Sequence, residues 1–122
     1  MDPVLKQLDG VLDDELLVDR IFEALTKRHQ ASARTGRPST PAEIVLRMLV
    51  LKHLRSWSYE QLQWEVTGNF VYRRFCRIDG GNVPDEKTMV RYGQLVGGEL
   101  LEQLFARVVE LAKLRGVTKG RR

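Results

Sequence analysis

The sequence predicts an all-α fold, namely a bundle of five to six helices that contains a helix-turn-helix-like unit around a central buried helix at about residues 41–55. The first observation is the run PAEIVLRMLVLKHLR at residues 41–55, whose apolar side chains cover almost the whole circumference of a helix. A helix that is apolar on nearly every side is a buried one. The second observation is that apolar residues recur at helical spacing in later segments, which short turns rich in glycine and asparagine separate.

The central helix has recognisable start signals. Thr40 is predicted to be its N-cap, Pro41 suits the first helical position, and Glu43 completes the spacing of a capping box. The run is too short and too charged to span a membrane, which takes about 20 apolar residues. A narrow solvated stripe is predicted to hold Arg47, Lys52, His53 and Arg55. The predicted core consists of Leu46, Leu49, Val50 and Leu54, with Leu62, Phe75, Leu101 and Leu104 packed against them.

The segment before the central helix is acidic and then basic. A short first helix is predicted to break at Asp9 and Gly10, and Asp13 or Asp14 then caps a helix that reaches about residue 27.

A chain of this length is predicted to be one domain. This single domain, residues 1–122, divides into an acidic helical segment at 1–27, a basic linker at 28–40, a helical core at 41–115 and a basic tail at 116–122.

Two short helices are predicted to follow the central one. Ser56 or Ser58 caps the first of them, which runs over residues 59–66. The second runs over residues 70–78, although a strand is the alternative interpretation because aromatic and β-branched residues are frequent there. As a helix it would bury Phe70, Val71, Phe75 and Ile78 and leave Arg73, Arg74 and Arg77 on its outer face.

The next helix offers the clearest candidate contact face. Asp85 is predicted to be its N-cap, and its N-terminus would offer free backbone N–H groups to a phosphate. Gly97 and Gly98 end it, and a last helix is predicted at residues 99–114. The inner face of the helix that Asp85 caps would hold Met89, Tyr92 and Val96. Its outer face would hold Lys87, Thr88, Arg91 and Gln94.

No catalytic or metal-binding pattern is recognisable in the sequence. The single cysteine, Cys76, lies on a predicted core face, and the two histidines, His29 and His53, lack the spacing of metal ligands. We therefore expect no catalytic residue, no cofactor and no metal. One cysteine and the absence of an N-terminal signal pattern favour a cytoplasmic protein, nucleoid-associated if it binds DNA.

The charge is unevenly distributed along the chain. Residues 1–26 carry seven acidic and two basic side chains, whereas residues 27–122 carry nine acidic and eighteen basic ones. A polyanion would therefore bind the second part. Arg34 and Arg37 of the linker can follow phosphates or enter a minor groove, as basic arms do. The same residues also fit a solvated basic loop, and charge alone leaves both interpretations open.

Short helices joined by tight turns, with basic and hydroxylated outer faces, are typical of helix-turn-helix domains. The helix that Asp85 caps is the first candidate for the major groove, because its outer face can bond base edges and phosphates. The helix that carries Arg73, Arg74 and Arg77 is the second candidate, or the phosphate-contacting partner of the first.

Five motifs follow one another in a fixed order. They are Gly36-Arg37-Pro38, the apolar helix from Ile44 to Leu54, Ser58-Tyr59-Glu60-Gln61-Leu62, Asn69-Phe70 with Phe75, and Val83-Pro84-Asp85-Glu86-Lys87-Thr88 with Arg91-Tyr92. In this order, over about residues 36–116, they resemble the N-terminal helical domain of DDE-type insertion-sequence transposases.

The resemblance implies a domain that binds double-stranded DNA at transposon ends. In that family a ribonuclease-H-like domain with three metal-binding carboxylates follows, and its first strand would begin near residues 119–122. The resemblance therefore implies a truncated or frameshift-dependent product without the catalytic domain, which itself is no enzyme. A homo-oligomer or a separate catalytic subunit would be a further partner, and a membrane would not. The alternative is a helical module for protein–protein interaction or self-association with little DNA binding.

Overall fold

The computed structural model of the protein describes residues 3–32 and 40–114. Within these residues there are seven helices and no strand, which confirms the all-α class. In chain order they are α1 (Pro3–Val11), α2 (Glu15–Ser32), α3 (Ala42–Arg55), α4 (Tyr59–Gly68), α5 (Phe70–Phe75), α6 (Glu86–Val96) and α7 (Gly98–Leu114). None of the described helices is both long enough and apolar enough to cross a membrane.

The acidic N-terminal part is more helical than predicted. The predicted break at Asp9 and Gly10 does not occur, because α1 continues to Val11 and packs against α7. Leu5, Leu8 and Val11 are buried on one side of α1, and this packing keeps Gly10 helical in spite of its low propensity. Asp14 caps α2, since its Oδ1 accepts a hydrogen bond of 2.8 Å from the backbone N–H of Leu16. The helix then extends to residue 32, past the predicted start of the linker.

Helix α3 is the central helix, as predicted. Seven consecutive side chains from Val45 to Leu51 are buried, and α2, α4 and α6 all pack against α3. Leu54 is the exception, because it is 37 % exposed and lies in the last turn, after the buried run has ended at Leu51. In the same turn His53 is also exposed, and its ring stacks on that of Phe105 of α7 with 4.1 Å between the ring centroids.

The start of α3 differs from the predicted capping box. Pro41 occupies the N-cap position and no side chain caps the helix. The hydroxyl oxygen of Thr40 accepts a hydrogen bond of 3.0 Å from the Tyr92 hydroxyl of α6 instead. Glu43 turns toward Arg47, whose Nε lies 3.7 Å from its carboxylate. Of the two side chains predicted to cap α3, Thr40 therefore connects the start of α3 to α6, and Glu43 pairs with Arg47 within α3.

Arg47 is the largest departure from the sequence prediction. It was assigned to a solvated stripe, but its side chain is 0 % exposed. One guanidinium nitrogen donates to the Asp9 carboxylate at 2.6 Å and to the Phe75 carbonyl at 2.9 Å. The other donates to the Asp9 carbonyl at 2.9 Å and to the Asp13 carboxylate at 3.1 Å. A buried charge is tolerated only when it is paired and hydrogen-bonded in this way.

A second arginine completes the cluster. Arg77 follows α5 and donates to Asp9 at 3.3 Å and to Asp13 at 3.1 Å, and it lies 3.7 Å from Glu43. Its backbone is left-handed, with φ of 63°, a conformation that L-residues rarely adopt. We call Arg47, Arg77, Asp9, Asp13 and Glu43 the arginine–carboxylate cluster. It connects α1, the α1–α2 turn, α3 and the end of α5.

The two short helices are capped by side chains. The Ser58 hydroxyl accepts from the N–H of Gln61 at 3.0 Å, which confirms Ser58 as the cap of α4. The carboxamide oxygen of Asn69 accepts from the N–H groups of Val71 and Tyr72, so a single residue separates α4 from α5. A helix at this place is confirmed, although it is shorter than predicted.

The predicted inner face of α5 is only half correct. Phe75 and Ile78 are buried, but Phe70 is 71 % and Val71 37 % exposed. Tyr72 packs edge-on against Trp57 at 5.4 Å, which helps to set the rotation of this six-residue helix. With Tyr72 and Phe75 turned toward the core, the helical repeat leaves Phe70 on the opposite side.

Arg47→Met is expected to lower the free energy of unfolding by about 1–3 kcal/mol, the usual cost of leaving a buried acceptor, here the Phe75 carbonyl, without its donor. The substitution removes the guanidinium that donates to the Phe75 carbonyl, and it leaves Asp9 and Asp13 with Arg77 as their remaining arginine partner in the cluster. Urea denaturation measures the loss. Arg91→Met, at an exposed position of α6, is the matched control and should change stability by no more than about 0.5 kcal/mol. Equal stability of the two variants would show that the cluster does not hold the fold.

The pKa of Asp9 predicts an acid-sensitive contribution to stability. Burial raises this pKa, but hydrogen bonds and charge from Arg47 and then Arg77 outweigh burial, so that the pKa lies below its usual value of 3.8. Ionised Asp9 therefore stabilises the native state above that pH, and the contribution is lost as the pH falls through the lowered pKa. Asp9→Asn should lower Tm at neutral pH, and its difference from wild type should shrink below about pH 3.8.

Asp19→Asn, at an exposed position of α2, is the control for this titration and should follow the wild-type curve. A constant difference between Asp9→Asn and wild type over the whole pH range would contradict the assignment.

Candidate nucleic-acid interface

Helix α6 is fixed at its start by Asp85, as predicted. The Asp85 carboxylate accepts from the backbone N–H of Thr88 at 2.9 Å. Hydrogen bonds from Thr88, and then the charges of Lys87 and Arg91, hold the pKa of Asp85 below its usual value. Gly97, with φ of 87°, ends the helix in a conformation that glycine adopts without strain.

The outer face of α6 is a basic stripe. Lys87, Arg91 and Gln94 are all exposed, and their spacing of four and three residues puts them on one side of the helix. Thr88 is half-buried and lies at the edge of this stripe. The opposite face buries Met89, Tyr92, Gly93 and Val96, which confirms the three inward residues predicted. The stripe itself carries two positive charges and no carboxylate.

The N-terminus of α6 is less available to an anion than predicted. The N–H of Glu86 donates to the Gln63 side-chain oxygen of α4 at 2.8 Å, and the N–H of Thr88 is bound by Asp85. These two amides are therefore already satisfied, and the carboxylates of Asp85 and Glu86 add negative charge. The prediction of free amides is wrong for these two groups.

The position of α6 on the fold depends on a glycine. A Cβ atom added at Gly93 would overlap the hydroxyl oxygen of Tyr59, the first residue of α4. Tyr59 is half-buried, burial raises the pKa of its hydroxyl, and the Lys52 ammonium lies 4.4 Å from its ring centroid. Gly93 thus allows the close approach of α4 and α6, while the bond from Tyr92 to Thr40 holds α6 beside the start of α3.

The three arginines near α5 have different surroundings. Arg77 belongs to the arginine–carboxylate cluster, so its charge is already compensated. Arg73 donates to the Gly81 carbonyl at 2.8 Å, which holds its side chain against the loop after α5. Arg74 is exposed, and its guanidinium carbon lies 5.8 Å from the ring centroid of Phe70. Arg73 and Arg74 remain candidates for nucleic-acid contact, whereas Arg77 has a structural role.

The sequence prediction did not identify the two most exposed aromatic side chains among the described residues. Trp64 of α4 is 75 % exposed and Phe70 of α5 is 71 % exposed. Phe70 borders a shallow cleft of about 500 Å³ that is lined by Arg73, Arg74, Arg77, Ile78, Asp79 and Gly80. Trp64 borders another cleft, where Glu60 and Glu86 make the surface acidic. Helical periodicity could not find either residue, because it reports which residues share a face but not whether that face is covered.

The remaining predicted residues, Arg34 and Arg37, lie outside the described residues, and their roles stay predictions. The described candidates fall on two elements, α5 and α6, and both of these helices pack against α4. Within the described part of the chain, no group of histidine, cysteine, aspartate and glutamate side chains is arranged to hold a metal ion. Cys76 is buried, and burial raises the pKa of its thiol to about 12.

These helices and their exposed basic faces define a small all-α domain. The chain belongs to the transposase domain family (DUF772), whose family model matches residues 1–95. The matched range includes α1 to α5 and most of α6, so the arginine–carboxylate cluster and the basic stripe both lie in it. Comparisons with curated proteins and with solved structures found no match.

Gly93→Ala is expected to destabilise the protein although alanine is the better helix former by about 1 kcal/mol. The overlap with Tyr59 should outweigh propensity, giving a net loss of about 1–2 kcal/mol in a urea denaturation curve. Gly68→Ala is the matched control, because it also changes a helical glycine but nothing lies within 4 Å of the added Cβ. A gain of stability in both variants would show that α4 and α6 do not meet closely at Gly93.

Proposed function

We propose that the chain is the DNA-binding module of a transposase and that it contacts duplex DNA at transposon ends through the outer face of α6. The observation that carries this proposal is the exposed stripe of Lys87, Arg91 and Gln94 on a helix whose other face is buried, with the carboxylates of Asp85 and Glu86 at the N-terminal end of that helix. Membership of the transposase domain family supports DNA as the polyanion.

The side chains of the stripe suit the edges of base pairs. Arginine can make two hydrogen bonds to guanine O6 and N7, and glutamine can make two to adenine N6 and N7. An α-helix with its side chains is about 10–12 Å wide, which matches a major groove about 12 Å wide. We therefore assign base contacts to Arg91 and Gln94, and phosphate contact to Lys87 near the start of the helix. Half-buried Thr88 would contribute at most one bond from the edge of the stripe.

Other basic residues would position the domain on the duplex. Arg73 and Arg74 would contact phosphates beside the groove, and Arg34 and Arg37 would follow the backbone or enter the minor groove. Arg77 is left out of the proposed interface, because Asp9 and Asp13 already neutralise it.

The proposal gives this domain the binding step and not the chemical step. In the transposases that the sequence resembles, strand transfer belongs to a ribonuclease-H-like domain, and a helical domain precedes it. The protein would then act together with catalytic residues that lie outside the helices described above.

A second candidate function is self-association with another copy of the chain. A groove of about 490 Å³ between α2 and α7 is bordered by exposed Leu16 and Val109. Exposed Glu99 near the start of α7 and exposed Lys113 near its end would face each other in two antiparallel copies. Apolar association of this kind would depend little on salt, whereas DNA binding weakens steeply with it.

The experiment is a salt titration of binding, followed by fluorescence anisotropy, to a transposon-end duplex and to a scrambled duplex. Arg91→Ala should cost about 1–3 kcal/mol on the transposon end and reduce the preference for it. Arg74→Ala and Arg37→Ala should weaken both complexes alike and flatten the slope of log K against log salt by about one unit. Lys6→Ala, at an exposed position of α1 outside both proposed surfaces, is the control and should change neither quantity.

Binding that is insensitive to Arg91, or absent at low salt, would contradict the proposed interface. Sedimentation of the same samples separates the second candidate, since a dimer that persists at high salt would favour self-association.

A further inference from the structure

Phe70 is an exposed aromatic residue on a helix that is otherwise well anchored. The carboxamide oxygen of Asn69 accepts a hydrogen bond of 2.8 Å from the N–H of Val71, which fixes the first turn of α5. Phe75 is buried on the inner side of the helix. The exposure of Phe70 therefore does not come from a loose end of the chain. The fold holds a phenyl ring, 71 % exposed, in a defined position at the surface.

The surroundings of this ring are basic. Arg74 lies one helical turn later on the same side, with its guanidinium carbon 5.8 Å from the ring centroid. Arg73 lines the same cleft and is held by the Gly81 carbonyl. Asp79 is the one carboxylate that lines the cleft itself. We call this site, formed by Phe70, Arg73 and Arg74, the α5 cleft.

An exposed aromatic ring beside arginines is the combination that binds single-stranded nucleic acid. Bases stack on aromatic side chains, the positive groups follow the phosphates, and arginine can stack on the other side of a base. A base inside a duplex already has neighbours on both faces, so an unpaired base is the better partner for the Phe70 ring. The acidic surroundings of Trp64 do not offer this combination, because Glu60 and Glu86 would repel phosphates.

We infer that the α5 cleft binds an unpaired nucleotide, with its base stacked on Phe70 and its phosphate bound by Arg73 and Arg74. The inference rests on the proposed function only in taking nucleic acid as the ligand. It adds a second contact, distinct from the α6 stripe, that distinguishes DNA with an unpaired base from a fully paired duplex.

The test compares a blunt duplex with the same duplex carrying a short single-stranded overhang that contains 2-aminopurine, a base whose fluorescence is quenched by stacking. The full chain should bind the overhang duplex about five- to a hundredfold more tightly than the blunt one and quench the probe. Phe70→Ala should remove both the preference and the added quenching, and Phe70→Trp should retain them. Arg74→Ala should weaken the overhang complex more than the blunt one.

Trp64→Ala is the matched control, because it removes an equally exposed aromatic residue from the acidic cleft. It should leave the overhang preference unchanged. Thermal unfolding of every variant checks the fold, and Phe70→Trp and Arg74→Ala keep the test decisive if Phe70→Ala is unstable.

The inference is overturned if wild type shows no overhang preference, if Phe70→Ala keeps it, or if Trp64→Ala loses it. The two proposals fail separately. Binding of both duplexes that depends on Arg91 but not on Phe70 leaves the α6 interface standing and removes the α5 cleft. Binding of the overhang that depends on Phe70 but not on Arg91 does the opposite.

Discussion

The burial of Arg47 is the constraint on which the rest of the structure depends. A guanidinium in the interior of a domain is stable only if its donors are bound and its charge is compensated. Here the compensation comes from Asp9 and Asp13, which lie at least 34 residues away in the chain, and from the Phe75 carbonyl. One side chain of the central helix thus holds α1, the following turn and the end of α5 in place.

This cluster also determines which basic surface is left for a ligand. The acidic excess of the N-terminal segment and the basic excess of the rest do not form two separate faces, because Asp9 and Asp13 pair with buried Arg47 and with Arg77 at the surface. Near α5, half-buried Arg73 and exposed Arg74 do not belong to this cluster. The stripe on α6 then stands out because its own face carries no carboxylate, although Glu86 lies close to its start.

Much of the fold and part of the candidate site could be predicted because the signals are local. A cap such as Ser58 or Asp85 acts on an amide three residues later, so the sequence contains the whole interaction. The buried run of α3 is likewise visible in consecutive residues. The inner and outer faces of α6 follow from the helical repeat alone. Whether its outer face binds DNA is a separate matter, which depends on the ligand and not on periodicity.

The sequence by itself determined the helical class, the central helix, the caps Asp14, Ser58 and Asp85, and the outward direction of Lys87, Arg91 and Gln94. The tertiary structure alone decided that Arg47 is buried, that Leu54 and Phe70 are exposed, and that Gly93 admits Tyr59. The physical reason is the distance along the chain over which each interaction acts. Periodicity and capping act within a few residues, whereas the burial of a charge or a ring depends on which distant groups reach it. Those groups are brought together only when the helices pack.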